Sequence, residues 1–174
     1  LALSSSYFPL AWPPPESTRL TIYTGRSRLM LPTRRPRDEA VAFPPPQASV
    51  SAAQVQIEPG HHNWRVIREL DTDFSILEVI NDAGTYRLED IDLIVKRKTE
   101  EWYSYQGDDF HSPRGETRWQ RQFKRGDWSV ETITRTILRC DDSCFYLDAE
   151  LDAFEGDKRV YSQNWNRRIK RNLV

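Results

Sequence analysis

Cysteine and histidine are scarce in this sequence, and their scarcity limits the sites the chain can build. Of 174 residues, two are cysteine and three are histidine. Two cysteines are too few for a disulfide scaffold or a cysteine-rich zinc site. The histidines, His61, His62 and His111, do not follow the usual spacing of metal ligands. We therefore predict no metal site and no bound cofactor.

The chain also lacks an excess of charge of either sign. It has 25 Lys and Arg against 26 Asp and Glu, for a formal net charge of −1. Residues 1–60 carry 6 basic and 4 acidic side chains, and residues 61–174 carry 19 and 22. Neither part has the strong positive field that nucleic-acid binding usually requires, so no nucleic-acid partner is predicted.

Long apolar runs are missing as well. No segment approaches the roughly 20 apolar residues that cross a membrane, so no membrane partner is predicted. A secretory signal has a basic start followed by an apolar run. Here no Lys or Arg precedes Arg19, and serines at positions 4–6 interrupt the apolar residues. The lack of a recognisable targeting segment favours a cytoplasmic location.

Sequence motifs of common enzymes are not found. The nearest match to the nucleophile elbow G-x-S-x-G is Gly25-Arg26-Ser27-Arg28, which is followed by leucine rather than glycine. No P-loop, H-E-x-x-H, G-x-G-x-x-G or EF-hand loop occurs. We therefore predict no catalytic, cofactor-binding or metal-binding residues. An autonomous enzyme stays a hypothesis that needs an acid paired with His62 or His111.

What the chain does have is a series of short segments rich in Val, Ile, Thr, Tyr, Phe and Trp, starting near residue 53. No long segment has the 3.6-residue apolar period of a helix. The turn signals between the segments are NDAG (81–84), GDDFHSPRG (107–115), RGD (125–127), CDDSC (140–144) and EGDK (155–158). The pattern predicts an all-β fold. We expect an antiparallel meander of about seven strands over 53–174, forming a curved sheet, a sandwich or an open barrel.

The first part of the chain has a different character. Residues 1–35 contain strand-like pieces between prolines, RLTIY (19–23) and RLMLP (28–32). Residues 36–52 are rich in Pro, Ala and Ser, which is typical of an extended linker. The sequence thus predicts three parts, 1–35, 36–52 and 53–174.

One hairpin permits a prediction of register. If Cys140 faces Cys144, the apolar side chains of both strands share one face, and three threonines meet three acids on the other. The further predicted pairs are Ile137–Leu147, Ile133–Leu151, Thr136–Asp148, Thr134–Glu150 and Thr132–Asp152. A disulfide between the cysteines and two reduced thiols both remain open. Trp128 and Val130 have the opposite parity to the isoleucines, which requires either a bulge or apolar contacts on both faces.

Two further groups have an ordinary structural interpretation. The acids of the row Asp148, Glu150 and Asp152 are expected to face solvent or neighbouring arginines, as are the paired aspartates of the turns. The tryptophans are spread over different strands, and we expect them to fill the core rather than form exposed binding platforms. They are Trp12, Trp64, Trp102, Trp119, Trp128 and Trp165.

Several passages in order resemble a known family. SSSYFPLAWPPPE (4–16) and LTIYTGRSRLMLPTR (20–34) resemble the end of the C-terminal jelly-roll domain of CocE/NonD-type hydrolases. These are acyl esterases related to X-Pro dipeptidyl peptidases. GETRW (115–119) and the segment from Leu147 to Val174 resemble most closely the tail that a subset of these hydrolases carries beyond the jelly roll. The likeness covers nearly the whole chain and is weakest at 36–60.

The resemblance implies a non-catalytic C-terminal region of a serine hydrolase, with the last jelly-roll strands in residues 1–35. The family's catalytic Ser, Asp and His have no matching positions here, so none is carried over. The expected partners are the parent's α/β-hydrolase and jelly-roll domains, with a homo-oligomer also possible. The expected role is packing, assembly or substrate access. The alternative function is a ligand-binding β-barrel module, which needs a closed sheet and an apolar cavity.

Overall fold

The computed structural model of the chain describes residues 3, 4, 8, 19–34 and 42–171, and over this range the fold is all-β. Most of the opening stretch LALSSSYFPLAWPPPE, and with it the prediction for Trp12, lies outside these residues. The strands are β1 (Gln54–Glu58), β2 (His61–Glu69), β3 (Phe74–Leu88), β4 (Leu93–Gln106), β5 (Arg114–Arg125), β6 (Trp128–Cys140), β7 (Cys144–Glu155) and β8 (Lys158–Lys170). One 3-10 turn, Glu89–Ile91, joins β3 to β4. The antiparallel meander is confirmed, with eight strands rather than about seven.

The strand-like pieces at 19–23 and 28–32 do not form strands in this chain. Residues 19–34 have no regular secondary structure apart from a turn at 24–26, where the carbonyl of Tyr23 accepts the amides of Arg26 and Ser27. A β-strand is defined by a hydrogen-bonded neighbour, and in the described part of the chain this segment has none. Its assignment to a jelly roll stays a prediction.

The sheet is open. Each strand from β3 to β8 pairs with its sequence neighbour, and β1 and β2 both pair with the free side of β3. In the described part of the chain β8 pairs with β7 alone, so the ladder does not close into a barrel. All thirteen residues of β8 are exposed. The enclosure that the barrel hypothesis needs is therefore not formed by this sheet.

The pairing register assigns every side chain to one of two faces, because directly opposed residues lie on the same side of a sheet. The first, which we call the apolar face, carries a row at one level across six strands: Val66, Leu77, Tyr103, Gly115, Leu138 and Leu147. The second, the charged face, carries the neighbouring row Arg65, Glu78, Trp102, Glu116, Ile137 and Asp148. No second layer covers either face in the described residues, which explains why so few side chains are buried.

A corner made by two glycines divides β1 from β2. A Cβ placed on Gly84 would lie 2.2 Å from the carbonyl oxygen of Glu58, and one on Gly60 would lie 2.5 Å from that of Asp82. The backbones approach this closely because β3 bulges between Asp82 and Thr85. NDAG (81–84) is therefore a bulge inside β3, and its prediction as a turn between strands is wrong. The other four turn signals lie at connections between strands.

The predicted register of the β6–β7 hairpin is wrong by one residue. The pairs observed are Cys140–Phe145, Leu138–Leu147, Ile137–Asp148, Thr136–Ala149, Thr134–Leu151, Ile133–Asp152 and Thr132–Ala153. They replace Cys140–Cys144, Ile137–Leu147, Ile133–Leu151 and the three Thr–acid pairs. The threonines thus lie on the apolar face, and the acids lie opposite Ile133, Arg135 and Ile137 on the charged face.

The cause of the slip is the hairpin loop. The carboxylate of Asp141 accepts the backbone amides of Ser143 (2.8 Å) and Cys144 (2.7 Å), and the amide of Asp141 donates to the carbonyl of Cys144 (3.0 Å). These bonds close a four-residue loop, where a three-residue loop is needed for the predicted register. Loop geometry therefore overrides the hydrophobic pattern at this end of the sheet.

The parity conflict within β6 is also resolved. The β5–β6 ladder is regular from Arg125–Trp128 to Arg114–Arg139, so no bulge lies between Val130 and Ile133. Val130 belongs to the apolar face, and Ile133 belongs to the charged face, where it stays 42% exposed. The strand simply carries apolar side chains on both sides.

The glycine corner makes a prediction. Gly84→Ala should lower the free energy of unfolding by more than about 2 kcal/mol, because an L-residue at φ +68° costs about 1–2 kcal/mol before the backbone overlap is added. Gly126 is the matched control, with φ +56° and nothing within 4 Å of its virtual Cβ. Gly126→Ala should cost about 1 kcal/mol. Urea melts measure both losses, and equal losses would contradict the close approach.

The register is tested by double-mutant cycles. Leu138→Ala and Leu147→Ala should couple by about 0.5–1 kcal/mol, because the two side chains oppose each other directly. Ile137→Ala and Leu147→Ala, the pair that the hydrophobic pattern favours, should be additive within about 0.3 kcal/mol, because they lie on opposite faces. The free energies come from urea unfolding, and coupling in the second cycle instead of the first would restore the predicted register.

Candidate docking surface

The apolar face exposes large hydrophobic side chains toward both ends of the sheet. Trp64 and Val66, on β2, are 78% and 69% exposed, and Trp165, on β8, is 36% exposed. Exposed apolar residues next to one another in a sheet are typical of a surface that contacts another protein or domain. The pairing register places Trp64 and Trp165 on the same face as the apolar row. That row is continuous from Val66 to Leu147, whereas the level between the two tryptophans is partly polar: Val79, Glu101, Thr117, Thr136 and Ala149.

Phe8 occupies the middle of this face. Its ring meets the ring of Tyr103 edge to face, with centroids 5.8 Å apart and an interplanar angle of 82°. This is a preferred geometry for aromatic pairs. Gly115 lies directly opposite Tyr103 in the β4–β5 ladder, and a Cβ there would lie 3.9 Å from Cζ of Phe8. The apolar row therefore has a notch at Gly115, and an aromatic ring from the N-terminal segment lies at that notch.

Tyr103 is held in place from its other end. Its hydroxyl donates to Oε2 of Glu101 at 2.8 Å. Burial, together with this hydrogen bond to a carboxylate, raises the pKa of Tyr103 to about 12. The hydroxyl thus stays protonated at any physiological pH, and the bond fixes the ring over Gly115.

A cavity continues from Phe8 toward the β4–β5 loop. Its volume is about 270 Å³. The walls are aromatic and apolar, with two aspartates among the lining residues: Phe8, Tyr105, Gly107, Asp108, Asp109, Phe110 and Pro113. Phe8 thus lines this cavity as well as contacting Tyr103.

A polar network crosses the charged face from β2 to β6. The Glu116 carboxylate, in a residue only 6% exposed, accepts hydrogen bonds from Arg114 (2.5 Å), Arg118 (2.9 Å) and Arg135 (2.8 Å). The guanidinium of Arg118 also lies 5.4 Å from the ring centre of Trp102, whose Nε1 donates to Glu78 at 3.1 Å. Glu78 in turn accepts from Arg65 and Asn63 on β2.

The network stabilises its acids in the ionised form. The hydrogen bond from Arg135 is the largest cause, with Arg114 and Arg118 adding to it, and together they lower the pKa of Glu116 to about 2. The indole of Trp102, followed by Arg65, lowers the pKa of Glu78. Farther along the face, Arg139 bonds Asp148 at 3.2 Å. Basic and acidic groups therefore largely neutralise each other on this face.

The row Asp148, Glu150 and Asp152 lies on this charged face, as expected. Asp148 is paired with Arg139 and Asn166, and Asp152 lies 3.5 Å from Arg159. The prediction that these acids meet neighbouring arginines is confirmed for the two with such pairs. None of them meets a threonine, because the register places the threonines on the other face.

The β4–β5 and β6–β7 loops meet at one end of the sheet. Arg171 donates to the carbonyls of Asp141 (2.6 Å) and Phe110 (3.4 Å) and lies 3.2 Å from Nδ1 of His111. The ring of His111 thus has an arginine beside it rather than the carboxylate that a catalytic pair needs. His62 lies on β2 opposite Asn81, far along the sheet from this loop end. The acid–His pair that the enzyme hypothesis requires is not formed at either histidine within the described residues.

The two cysteines are free. Cys140 belongs to the apolar face, opposite Phe145, and Cys144 lies on the charged face beside Arg168. Side chains on opposite faces cannot form a disulfide without rearrangement of the backbone. Burial raises the pKa of Cys140, so its thiol stays protonated near neutral pH and is a poor nucleophile.

The tryptophans are placed differently from the prediction. All five in the described residues lie on the sheet, and none is buried. Packing in a core is therefore wrong for them, and the reason is that a single layer offers no interior. In the described chain, no group of three or more His, Cys, Asp or Glu side chains is arranged to hold a metal ion.

Two functional features escaped the sequence analysis. Arg114, Glu116 and Arg118 alternate with a spacing of two, so a strand assignment alone would place them on one face. That signal was available in GETRW and the preceding arginine. The contact of Phe8 with Tyr103 had no such signal, because the two residues are about 95 positions apart in the sequence.

No family model matches this chain. No curated protein and no solved structure matches it either. In the part of the chain that the structure describes, no helix has the length and apolar character needed to cross a membrane.

Glu116 makes a prediction with a defined dependence on pH. Because its pKa falls from 4.5 to about 2 on folding, it stabilises the fold above about pH 4.5, and this contribution is lost as the pH falls toward 2. Glu116→Gln should lower the free energy of unfolding by about 1–3 kcal/mol at pH 7, because three arginines lose their shared carboxylate. The gap to the native chain should narrow at pH 2.5.

Glu100→Gln is the control for this prediction. Glu100 pairs with one partly exposed lysine, Lys98, at 2.8 Å, so its replacement should cost less than about 0.5 kcal/mol. Urea melts at pH 7 and pH 2.5 give the difference in free energy of unfolding between the native chain and each of the two variants, Glu116→Gln and Glu100→Gln. A constant gap between Glu116→Gln and the native chain at both pH values would contradict the role of the ionised carboxylate.

Proposed function

We propose that this chain is a non-catalytic C-terminal region of a serine hydrolase of the acyl esterase or X-Pro dipeptidyl-peptidase type. Its sheet serves packing and assembly with the parent's α/β-hydrolase and jelly-roll domains. The observation that carries the proposal is the continuous apolar face, which is exposed at Trp64 and Val66 and receives one aromatic ring from the N-terminal segment. The resemblance of residues 4–34 to a jelly-roll end supplies the identity of the partner.

The energetics of the sheet support a role that depends on a neighbouring domain. In the described residues only Val95, Cys144 and Phe145 are buried hydrophobic residues. Burial of apolar surface is the main favourable term in folding, at roughly 25 cal/mol per Å². A domain placed over the apolar face would bury the side chains that this single layer leaves in water, and would stabilise both partners.

The polar clusters support a structural role rather than a chemical one. On the charged face the arginines are engaged with acids, so Glu116 is held ionised and surrounded, with no free position for a reacting group. The Cys140 thiol has a raised pKa, and its contacts are backbone carbonyls of the β4–β5 loop at 3.7–3.9 Å. Neither cluster offers an activated nucleophile beside a base.

The proposal predicts the enzymology of the chain. The purified chain should leave p-nitrophenyl esters and X-Pro-anilides unhydrolysed, and a serine-directed phosphonate should not label it. The reading frame that precedes Leu1 should encode a G-x-S-x-G elbow. Turnover that copurifies with the chain and is abolished by the phosphonate would overturn the proposal.

Assembly is tested with the other domains of the proposed parent hydrolase. The α/β-hydrolase domain with the rest of the jelly roll is produced as a separate protein, and it should coelute with this chain in size-exclusion chromatography. Trp64→Ser should weaken that association at least tenfold, because Trp64 is 78% exposed on the apolar face. Ile133→Ser is the control, since Ile133 is 42% exposed but lies on the charged face, opposite Asp152. Equal loss in both variants would contradict docking through the apolar face.

A further inference from the structure

We propose that the notch at Gly115, with the ring of Tyr103 above it and the β4–β5 loop beside it, is a specific binding site for an aromatic side chain. Its occupant is Phe8 of this chain, so the site fastens Phe8 to the sheet. This claim concerns the chain itself and stands whether or not the hydrolase proposal does.

The glycine is the first argument. Gly115 lies in β5, a central strand, and is buried. Glycine in the interior of a strand is unfavourable by about 0.5–1 kcal/mol relative to alanine, and it often marks the close approach of another group. Its backbone φ does not require glycine, so a different reason is needed for its presence. The ring of Tyr103 supplies that reason, since it lies 3.3 Å from the position of a Cβ, which is a tight contact. Phe8 lies 3.9 Å from the same position, at an ordinary contact distance.

The second argument is that the ring of Tyr103 is held by a hydrogen bond that does not involve Phe8. The bond from Tyr103 to Glu101 fixes the ring that Phe8 meets. Tyr103 and Leu138 oppose Gly115 on the strands to either side, and Leu77 lies beyond Tyr103 in the apolar row. A preorganised aromatic wall lowers the entropic cost of binding, which favours a defined pose over general hydrophobic contact.

The third argument is selectivity within the chain. The sequence Phe-Pro occurs twice, at Phe8-Pro9 and at Phe43-Pro44. Phe43 is 84% exposed, whereas Phe8 is half-buried and contacts Tyr103. Phe43 is also the nearer of the two in sequence, and it would close the shorter loop to β5 at a lower entropic cost. Loop length therefore does not decide which of the two rings lies at the notch. Phe8 also lines the cavity that continues to Phe110 and Pro113.

The test in the full chain compares Phe8→Ala with Phe43→Ala by two-dimensional NMR. Phe8→Ala should shift the amide of Gly115 and the ring signals of Tyr103, with changes fading along the apolar row, because the ring current of Phe8 is removed. Phe43→Ala should leave both signals in place. Unchanged Gly115 and Tyr103 signals in Phe8→Ala would overturn the proposal, and the sheet's own ladder keeps that variant folded.

A peptide supplied in trans tests specificity. The synthetic peptide LALSSSYFPLAWPPPE should bind the Phe8→Ala chain and return the Gly115 amide toward its native position. The same peptide with alanine at position 8 should bind at least tenfold more weakly. The native chain should also bind the peptide at least tenfold more weakly, because its own segment competes at high effective concentration.

Two results separate this site from other occupants. If the native Gly115 signal moves on dilution, Phe8 comes from a second copy of the chain, and the intramolecular claim is wrong. If both peptides bind the Phe8→Ala chain equally, the notch does not recognise the aromatic ring, and the site is wrong. Failure of the hydrolase proposal would appear only in the assays of turnover and assembly, so the two claims fail independently.

Discussion

Cross-strand pairing is the interaction on which the rest of this structure depends. In a two-layer protein, side chains between the layers stabilise the fold, and the strands need only be compatible with them. Here the described residues form one layer, and its buried hydrophobic residues are Val95, on β4, with Cys144 and Phe145, at the start of β7. Ladders of 11 to 13 paired residues hold each strand from β3 to β8 to the next. Stability therefore follows from backbone hydrogen bonds and from the pairs on each face, and both faces contribute.

This dependence explains the division between the two faces. On the apolar face, pairs such as Leu138–Leu147 remove surface from water, although the removal is incomplete without a second layer. On the charged face, the same level of the sheet is linked by Arg65, Glu78, Trp102 and Glu116 across four strands. Ion pairs at a surface are individually weak, but Glu116 is buried by the arginines that bind it. The network therefore resists separation of neighbouring strands, where an isolated pair would contribute little.

The sequence predicted the parts of the fold that depend on local composition. β-branched and aromatic segments, with turn residues between them, were sufficient for the all-β class and the order of the meander. They failed where a particular hydrogen bond decides the geometry. The carboxylate of Asp141 lengthens one loop and shifts the register by one residue, and Gly60 opposite Gly84 converts a turn signal into a bulge. Composition cannot show either contact, because each joins atoms whose positions are known only after folding.

The candidate site divides in the same way. The alternation of Arg114, Glu116 and Arg118 is local, and period-two reasoning would have placed the three side chains together. The contact of Phe8 with Tyr103 is not local, and nothing in the neighbourhood of either residue predicts it. The prediction for the tryptophans was wrong for a different reason. It placed them in a core, and a core needs a second layer, which the described residues do not contain.

The outer edge of β8 has a consequence for contacts between copies of the chain. In the described residues this thirteen-residue strand is paired with β7 on one side only, so its other side offers backbone donors and acceptors to any other extended chain. This one carries Lys158, Arg159, Arg167, Arg168 and Lys170, so two copies brought edge to edge would oppose like charges along both ends of the strand. Repulsion between these like charges opposes edge-to-edge stacking of a long, exposed strand. Growth of the sheet by edge-to-edge pairing of two copies is therefore disfavoured by charge repulsion.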